Sequence, residues 1–336
     1  MIKFLKKVIW KLSLKSPQIQ KDLISKKKFD GPYYVFKSFG NLNYDKTFYL
    51  IKRSPGTGLF SNVTFVLNHL RICKKLGFIP VVDMENYNSI YNEKIAIKKT
   101  NNSWEYYFQK LSPYSLEEVY KSKNVLITSD KFYNFFSLSL DKDKNLNQLL
   151  QTDIKIEKIL NKCFKRISKN FENKKILGIH FRGTSYKQSA GHPLPATKKQ
   201  MLSLTNKIIK EKKIDKIFLV TEELEYLKLF KKNFPNKLIY LKSCYRSNKN
   251  DAFEIYPRNL HRYKLGREAL IETLLLSKCD YFIHLLSNLS SAAIAFNLNT
   301  HQERFEIKNG VNSKNVLTAQ FLWYLKQLLP KNLGGL

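Results

Sequence analysis

The sequence predicts an α/β protein of two Rossmann-like domains, and three observations carry that prediction. Between Ile176 and Phe296, short apolar runs alternate with helix-length amphipathic segments, the pattern of a parallel sheet wrapped by helices. Between Phe48 and Met84, a strand, a Gly-rich turn, a helix and a second strand make one more βαβ unit. A length of 336 residues with 43% hydrophobic content suffices for two domains with full cores. The chain is accordingly divided into a basic N-terminal segment (1–30), a first domain (31–152), a linking helix (153–172) and a second domain (173–336).

The first residues, MIKFLKKVIWKLSLK, set Ile2, Leu5, Val8, Ile9 and Leu12 against Lys3, Lys6, Lys7 and Lys11 at helical spacing. Their apolar run is too interrupted for a secretory signal or a spanning helix. Two readings stand: a basic amphipathic helix on an anionic inner membrane, or a first helix docked on the domain. After a Lys-rich connection, Phe48–Ile51 reads as a short buried strand. Gly56 and Gly58 bracket a tight turn, and from Ser61 an apolar helix face runs through Val63, Val66, Leu67 and Leu70 until Gly77 stops it. FIPVVDM is the next strand, with Asp83 at its end. A turn between strand and helix presents backbone N–H groups to whatever lies above the sheet, although glycines there also serve turns for purely steric reasons.

Residues 85–150 read as irregular and aromatic, with one cluster at Trp104, Tyr106, Tyr107 and Phe108 and another at Phe132, Tyr133, Phe135 and Phe136. At this density such clusters pack cores and lids more often than they stack on ligands. Asp141-Lys142-Asp143 matches an Asp-x-Asp metal pair in form. It sits in the charged run DKDKN with no strand before it, so it is read as a solvated linker and no metal is expected. From Asp153 to Phe171 the spacing of Ile154, Ile159, Leu160, Phe164 and Ile167 predicts one amphipathic helix joining the domains.

The second domain alternates with little interruption. A strand at 176–181 leads to a loop with His192-Pro193 and a helix over 198–213. Strand KIFLVT ends at Thr221-Glu222-Glu223, and a helix runs to Phe234. Strand LIYL, a polar loop, a helix from Gly266 to Lys278, strand DYFIHL, Ser287-Asn288 and a helix through 292–296 complete the pattern.

A formal net charge of +32 suggests nucleic acid or another polyanion as a partner. Of the 59 basic residues only nine are arginine, the residue that reads bases and phosphates bidentately, so most of the charge reads as solvated lysine. The four cysteines, Cys73, Cys163, Cys244 and Cys279, form no CxxC pair, which points to neither a zinc site nor a disulfide framework and fits a reducing cytoplasm.

Ile176–Lys187, read as ILGIHFRGTSYK, is the stretch where a buried strand ends in polar chemistry. In open α/β sheets ligands sit beyond the carboxyl ends of the strands, so Arg182 faces a crevice. Its planar fork suits a phosphate; the local sequence equally allows a surface ion pair. Thr221-Glu222-Glu223 and Ser287-Asn288 fall at neighbouring strand ends. Arg246, Arg258, Arg262 and Arg267 crowd one short span. A diphosphate is the simplest ligand for that set.

These residues resemble the fucosyltransferase superfamily that uses GDP-fucose, comprising α1,6-fucosyltransferases, nodulation fucosyltransferases of rhizobia and protein O-fucosyltransferases. The resemblance extends over roughly residues 48–297. Gly58–Asn62, GLFSN, is similar to a Gly-Arg-Phe-Gly-Asn loop, keeping Gly58, Phe60 and Asn62. IHFRGTSYK resembles the signature His-Val-Arg-Arg-Thr-Asp-Lys, with His180, Arg182, Thr184 and the later His192-Pro193 in corresponding places. VTEE, carrying Thr221 and Glu222, resembles an Ala-Thr-Asp-Asp strand end. EALIETLLLSKCDYFIHLLSN resembles a segment in which Glu272 replaces an Asp that helps bind the nucleotide, followed by Ser287 and Asn288 at a Ser-Ser pair. Gly183 stands where a second Arg is usual, Ser185 where an Asp is, and Asn288 where the second Ser is.

The resemblance implies two facing Rossmann-like domains of the GT-B type, an inverting and metal-independent transfer, and no cofactor beyond the donor substrate GDP-fucose. Arg182 would hold the β-phosphate and Asn62 would face the transferred sugar. Backbone N–H groups of the Gly56–Asn62 turn would grip the diphosphate from the other domain. Gly58, Phe60, His180, Thr184, Thr221, Glu222, Glu272, Ser287 and Asn288 would line the donor. His180 could equally be a core histidine satisfied within the strand. The acceptor would be a hydroxyl of a surface glycan or its lipid-linked precursor, in the cytoplasm or on the inner face of the membrane. Two alternatives stay open: a same-fold transferase with another GDP- or NDP-sugar, and a non-enzymatic polyanion or nucleic-acid binder.

Overall fold

The structure, a computed structural model, describes residues 34–129, 140–249, 251–297 and 301–336, with the backbone alone for Thr184, Ser185 and Lys331. The basic segment 1–30 and the cluster at Phe132–Phe136 lie outside the described residues. The chain forms two compact units, the first ending at Lys158 and the second beginning at Ile159.

The first unit is built on four strands: β1 (Tyr34–Lys37), β2 (Leu42–Lys52), β3 (Ile79–Asp83) and β4 (Ser122–Thr128). Their order is β1-β4-β2-β3. β2 pairs in parallel with β3 and β4, whereas β1 lies antiparallel on the edge, so the sheet is mixed and not wholly parallel. Helix α1 (Leu59–Leu76) connects β2 to β3. It differs from the one-faced helix expected. Every residue from Leu59 to Leu70 is buried, including Asn68 and His69, so this helix is enclosed rather than laid on a surface. Its end is where the sequence puts it, at Gly77 in the left-handed region with φ 67°.

A short helix α2 (Leu116–Val119), started by a Ser115/Glu118 capping box, and the strand β4 lie in the stretch read as irregular. Trp104, Tyr106, Tyr107 and Phe108 are all buried, which makes that cluster core and not a stacking platform. Asp143 is not part of a solvated linker. It caps α3 (Lys144–Asp153), accepting from the N–H groups of Asn145 and Leu146, and pairs with Arg71 at 3.1 Å.

The single helix expected over 153–172 is broken. Gln109 N–H donates to Lys155 O at 2.8 Å and Glu157 N–H to Tyr107 O at 2.9 Å, so residues 154–157 run extended against the aromatic segment. Backbone pairing to a buried neighbour outcompetes helix formation where Ile154 and Ile156 are β-branched. Helix α4 (Lys158–Ser168) follows, then a 3₁₀ turn (Lys169–Phe171).

The second unit holds β5 (Ile176–His180), α5 (Lys198–Lys212), β6 (Lys216–Val220), α6 (Leu224–Asn233), β7 (Leu238–Ile239), α7 (His261–Leu276), β8 (Tyr281–His284), α8 (Asn288–Ala295), β9 (Glu303–Glu306) and α9 (Val316–Leu328). Its five strands are all parallel in the order β7-β6-β5-β8-β9. The chain therefore steps outward from β5 in one direction, returns, and steps outward in the other. That is the doubly wound arrangement, and its switch point lies between β5 and β8. β5 is buried along its whole length, and Leu177, Ile179, Ile217, Leu219, Phe230 and Ile283 form the core beneath the switch point.

Candidate functional site

The carboxyl ends of β5 and β6 bring together Arg182, Gly183 and Glu222, with His180 and His284 ending β5 and β8 side by side. Phe181 continues β5, donating its N–H to Val220 O at 2.9 Å, and its ring stacks on Tyr226 with centroids 3.7 Å apart. The chain then turns sharply. Tyr186 N–H donates to Gly183 O at 2.9 Å, closing a 3₁₀ turn (Thr184–Lys187). This turn aims the guanidinium of Arg182 over the ring of Tyr186, 4.3 Å from its centroid. Arg182 thus lies over Tyr186 at the switch point.

Two glutamates following β6 build the wall of this turn. Gly183 N–H donates to Glu222 Oε1 at 3.0 Å. Burial pushes the Glu222 carboxyl up, but the Arg182 guanidinium, with His180 and the Gly183 N–H beside it, outweighs burial and brings the group below the usual carboxylate range. Glu222 is therefore ionised beside Arg182. Glu223 pairs with Lys187 at 2.6 Å, and the ammonium also lies 5.0 Å from the Tyr226 ring and 5.3 Å from the Trp323 ring of α9.

The packing around Gly183 requires a glycine. A Cβ there would lie 2.1 Å from Glu223 Oε1 and 2.8 Å from Tyr226 Cε2, so no side chain fits where a second arginine is usual.

His180 closes β5 from below. It is buried, its Nδ1 has no hydrogen-bond partner among the described residues, and burial followed by Arg182 and His284 drives its pKa down to about 3 against the pull of Glu222. The β5–β8 register carried one residue on sets His284 beside it. Among the described residues its Nδ1 lacks the internal hydrogen bond of a satisfied core histidine. His284, absent from the sequence-based set, was signalled only by a histidine at the last position of both strands. His192 belongs to the same neighbourhood, its pKa lowered by burial and by Arg182, with its ring 5.0 Å from Tyr186.

The other marked residues do different work. Thr221 is buried and its hydroxyl accepts from Glu223 N–H at 3.2 Å, which orients the two glutamates. Ser287 is spent on a capping box with Ser290 at the start of α8, while Asn288 is exposed on its first turn. The side chain of Thr184 lies outside the described residues.

Glu272 on α7 is buried against Arg246 at 3.3 Å; burial drives its pKa up to about 7, more than Arg246 draws it down. Two of the four crowded arginines are engaged within the chain. Arg246 holds Glu272 and the carbonyls of Leu241 and Cys244, and Arg258 makes a bidentate pair with Glu268 at 2.6 and 2.7 Å. These pairs order the 241–260 loop.

In the first unit, Asn62 is buried, and its Oδ1 accepts from Ser54 N–H at 2.9 Å. Ser54 Oγ bonds Ser61 Oγ and the Gly56 N–H, both at 2.9 Å. Gly56 is needed sterically, since a Cβ would lie 2.3 Å from Ser61 Oγ; Gly58 has open space and is the N-cap of α1. Phe60 is buried. The GLFSN segment is thus the N-cap and first turn of α1, where Asn62 secures the backbone of Ser54.

No family model matches the sequence, and no curated protein matches it. Solved structures do. The fucosyltransferase NodZ from Bradyrhizobium is 15% identical, with 74% of this chain and 92% of that chain covered at a TM-score of 0.46. NodZ alpha-1,6-fucosyltransferase co-crystallised with GDP is 14% identical over 80% and 97% of the two chains, TM-score 0.48. POFUT1 in complex with GDP is 9% identical over 78% and 98%, TM-score 0.46.

A basin of about 600 Å³ lies on the opposite side of the second sheet, lined by Lys174, Lys175, Lys213, Lys278, Asp215 and Asp280. Its two aspartates accept from the N–H groups of Lys175 and Ile176, both at 2.8 Å, and so fasten strand starts. It sits at the amino ends, away from the switch point.

Proposed function

We propose that this chain is an inverting, metal-independent glycosyltransferase that moves fucose from GDP-fucose to a hydroxyl of a surface glycan or its lipid-linked precursor. The observation that carries the proposal is Arg182, fixed over Tyr186 at the switch point between β5 and β8 within the IHFRGTSYK segment. As the glycosidic bond stretches, the leaving GDP gains charge on its β-phosphate. A guanidinium already aimed at that oxygen stabilises the transition state more than the ground state. Glu222, ionised beside it, acts through the Gly183 N–H as a positioning residue. His180, buried beside Arg182 and uncharged at neutral pH, adds no positive charge of its own to the crevice.

A transferase of the same fold with a different nucleotide-sugar is the second reading. Gly183 favours it, because the packed turn has no room for the second arginine of the signature. Calorimetric titration with GDP, GDP-fucose, GDP-mannose and UDP-glucose separates these. GDP and GDP-fucose should bind, with UDP-glucose silent. Preference for GDP-mannose would establish the second reading, and binding of none would reject both.

A further inference from the structure

Helix α9 (Val316–Leu328) has two faces that differ in kind. Its inner face is anchored: Ala319 is 0% exposed and Trp323 7%, with the indole N–H donating to Pro195 O at 2.9 Å and Asn312 Nδ2 donating to Ala319 O at 3.0 Å. The outer face carries Leu317, Phe321, Tyr324, Leu325 and Leu328, of which Leu317 is 72%, Phe321 62% and Leu328 82% exposed. Steps of four, three, one and three residues keep these five on one side of a helix. An amphipathic helix of a globular unit turns such a row inward. Here the inner side is already occupied, and a contiguous apolar strip is left facing out, continued by exposed Leu329 and Leu333.

The charge around the strip selects its partner. After Glu306 the sequence holds four lysines, Lys308, Lys314, Lys326 and Lys331, and no acidic residue. Lys308 pairs with Glu306 at 3.4 Å. Lys314 is exposed just before the helix and Lys326 is partly exposed on it. A second copy would bring the same strip with a further +32 of like charge, which opposes self-association. At 13 residues the helix is roughly 20 Å long, too short to cross a bilayer, and no described helix is long and apolar enough to do so. An apolar row with a tyrosine in it and lysines at its borders is the composition of a helix lying in the plane of a lipid interface.

We propose that α9 is a lipid-docking helix that seats the second unit on an anionic bilayer. This assignment is independent of the donor sugar and of residues 1–30. The test is co-sedimentation of the full-length chain with vesicles of phosphatidylglycerol and phosphatidylcholine, against pure phosphatidylcholine, for the wild type, Leu328→Gln, and the triple substitution Phe321→Gln, Leu325→Gln, Leu328→Gln. The wild type should partition onto the anionic vesicles and less onto the neutral ones. The triple variant should partition at least about tenfold more weakly, the equivalent of losing a single buried side chain. Leu328→Gln, at the most exposed position, should lose part of the binding with an unchanged thermal melt, which covers a triple variant that fails to fold. Wild-type partitioning by the folded variants would overturn the proposal and assign binding elsewhere. So would an absence of wild-type binding, or a wild-type dimer that the substitutions convert to monomer without altering vesicle binding.

Discussion

His180 is an imidazole sealed at the end of a central strand, and burial lowers its pKa to about 3. Its effect on stability has a definite sign. Below its ordinary value of 6.5 the unfolded chain takes up a proton that the folded chain refuses, so stability is complete above pH 6.5 and declines as pH falls toward 3. Glu272 works in the opposite sense. Its folded value of about 7 exceeds the ordinary 4.5, so between those values stability falls as pH rises. Comparing denaturation of the wild type with His180→Gln isolates the first effect: the variant should show a shallower loss between pH 6.5 and 4, and an identical slope would mean that His180 already accepts a proton. Asn62 gives a second prediction at this scale. Asn62→Ala leaves Ser54 N–H buried without its acceptor, a loss of about 1–3 kcal/mol, so the thermal midpoint should drop. Turnover should fall further than stability explains if the residue also faces the transferred sugar. An unchanged midpoint would show that the tie is unimportant.

At the scale of elements, the turn after β5 is a stack of mutually dependent contacts. Lys187 pins Glu223, Tyr226 stacks on Phe181, and Gly183 has no space between them. Gly183→Ala should therefore destabilise the protein by about 1–3 kcal/mol and lower turnover, because neither neighbour is free to yield. Equal denaturant midpoints would contradict the packing described. Much of the second sheet was legible because its strands are continuous apolar runs and its helices repeat at 3.6 residues. β9 was not, since ERFE is short, charged and lies on the sheet edge. β4 was obscured by the irregular aromatic stretch around it. The helix expected across 153–172 failed because periodicity cannot show that residues 154–157 find backbone partners at Tyr107 and Gln109. The strand-end positions of Arg182, Glu222 and Ser287 were visible in the sequence. That Ser287 caps a helix and that Arg246 and Arg258 hold their own glutamates depends on spatial neighbours far apart in the chain.

For the molecule as a whole, the +32 charge and the proposed chemistry make separable predictions. A polyanion binder loses affinity steeply with salt, whereas a nucleotide held at a switch point by one arginine depends on salt weakly. Because Asp143 is engaged as a helix cap and ion pair, Asp141-Lys142-Asp143 is not an open carboxylate pair, and full transfer activity in excess EDTA is expected. Loss on chelation with recovery on manganese would contradict metal independence. The central claim is that the Arg182 fork holds the departing phosphate. Its most direct measurement is GDP release from GDP-fucose by Arg182→Lys, which keeps the charge and removes the paired donors. Removal of one preorganised donor should reduce turnover by about 10²–10³ in a protein that still folds. Turnover within a few-fold of the wild type would place Arg182 in an ordinary surface role, worth only about 0–1 kcal/mol, and would contradict the account.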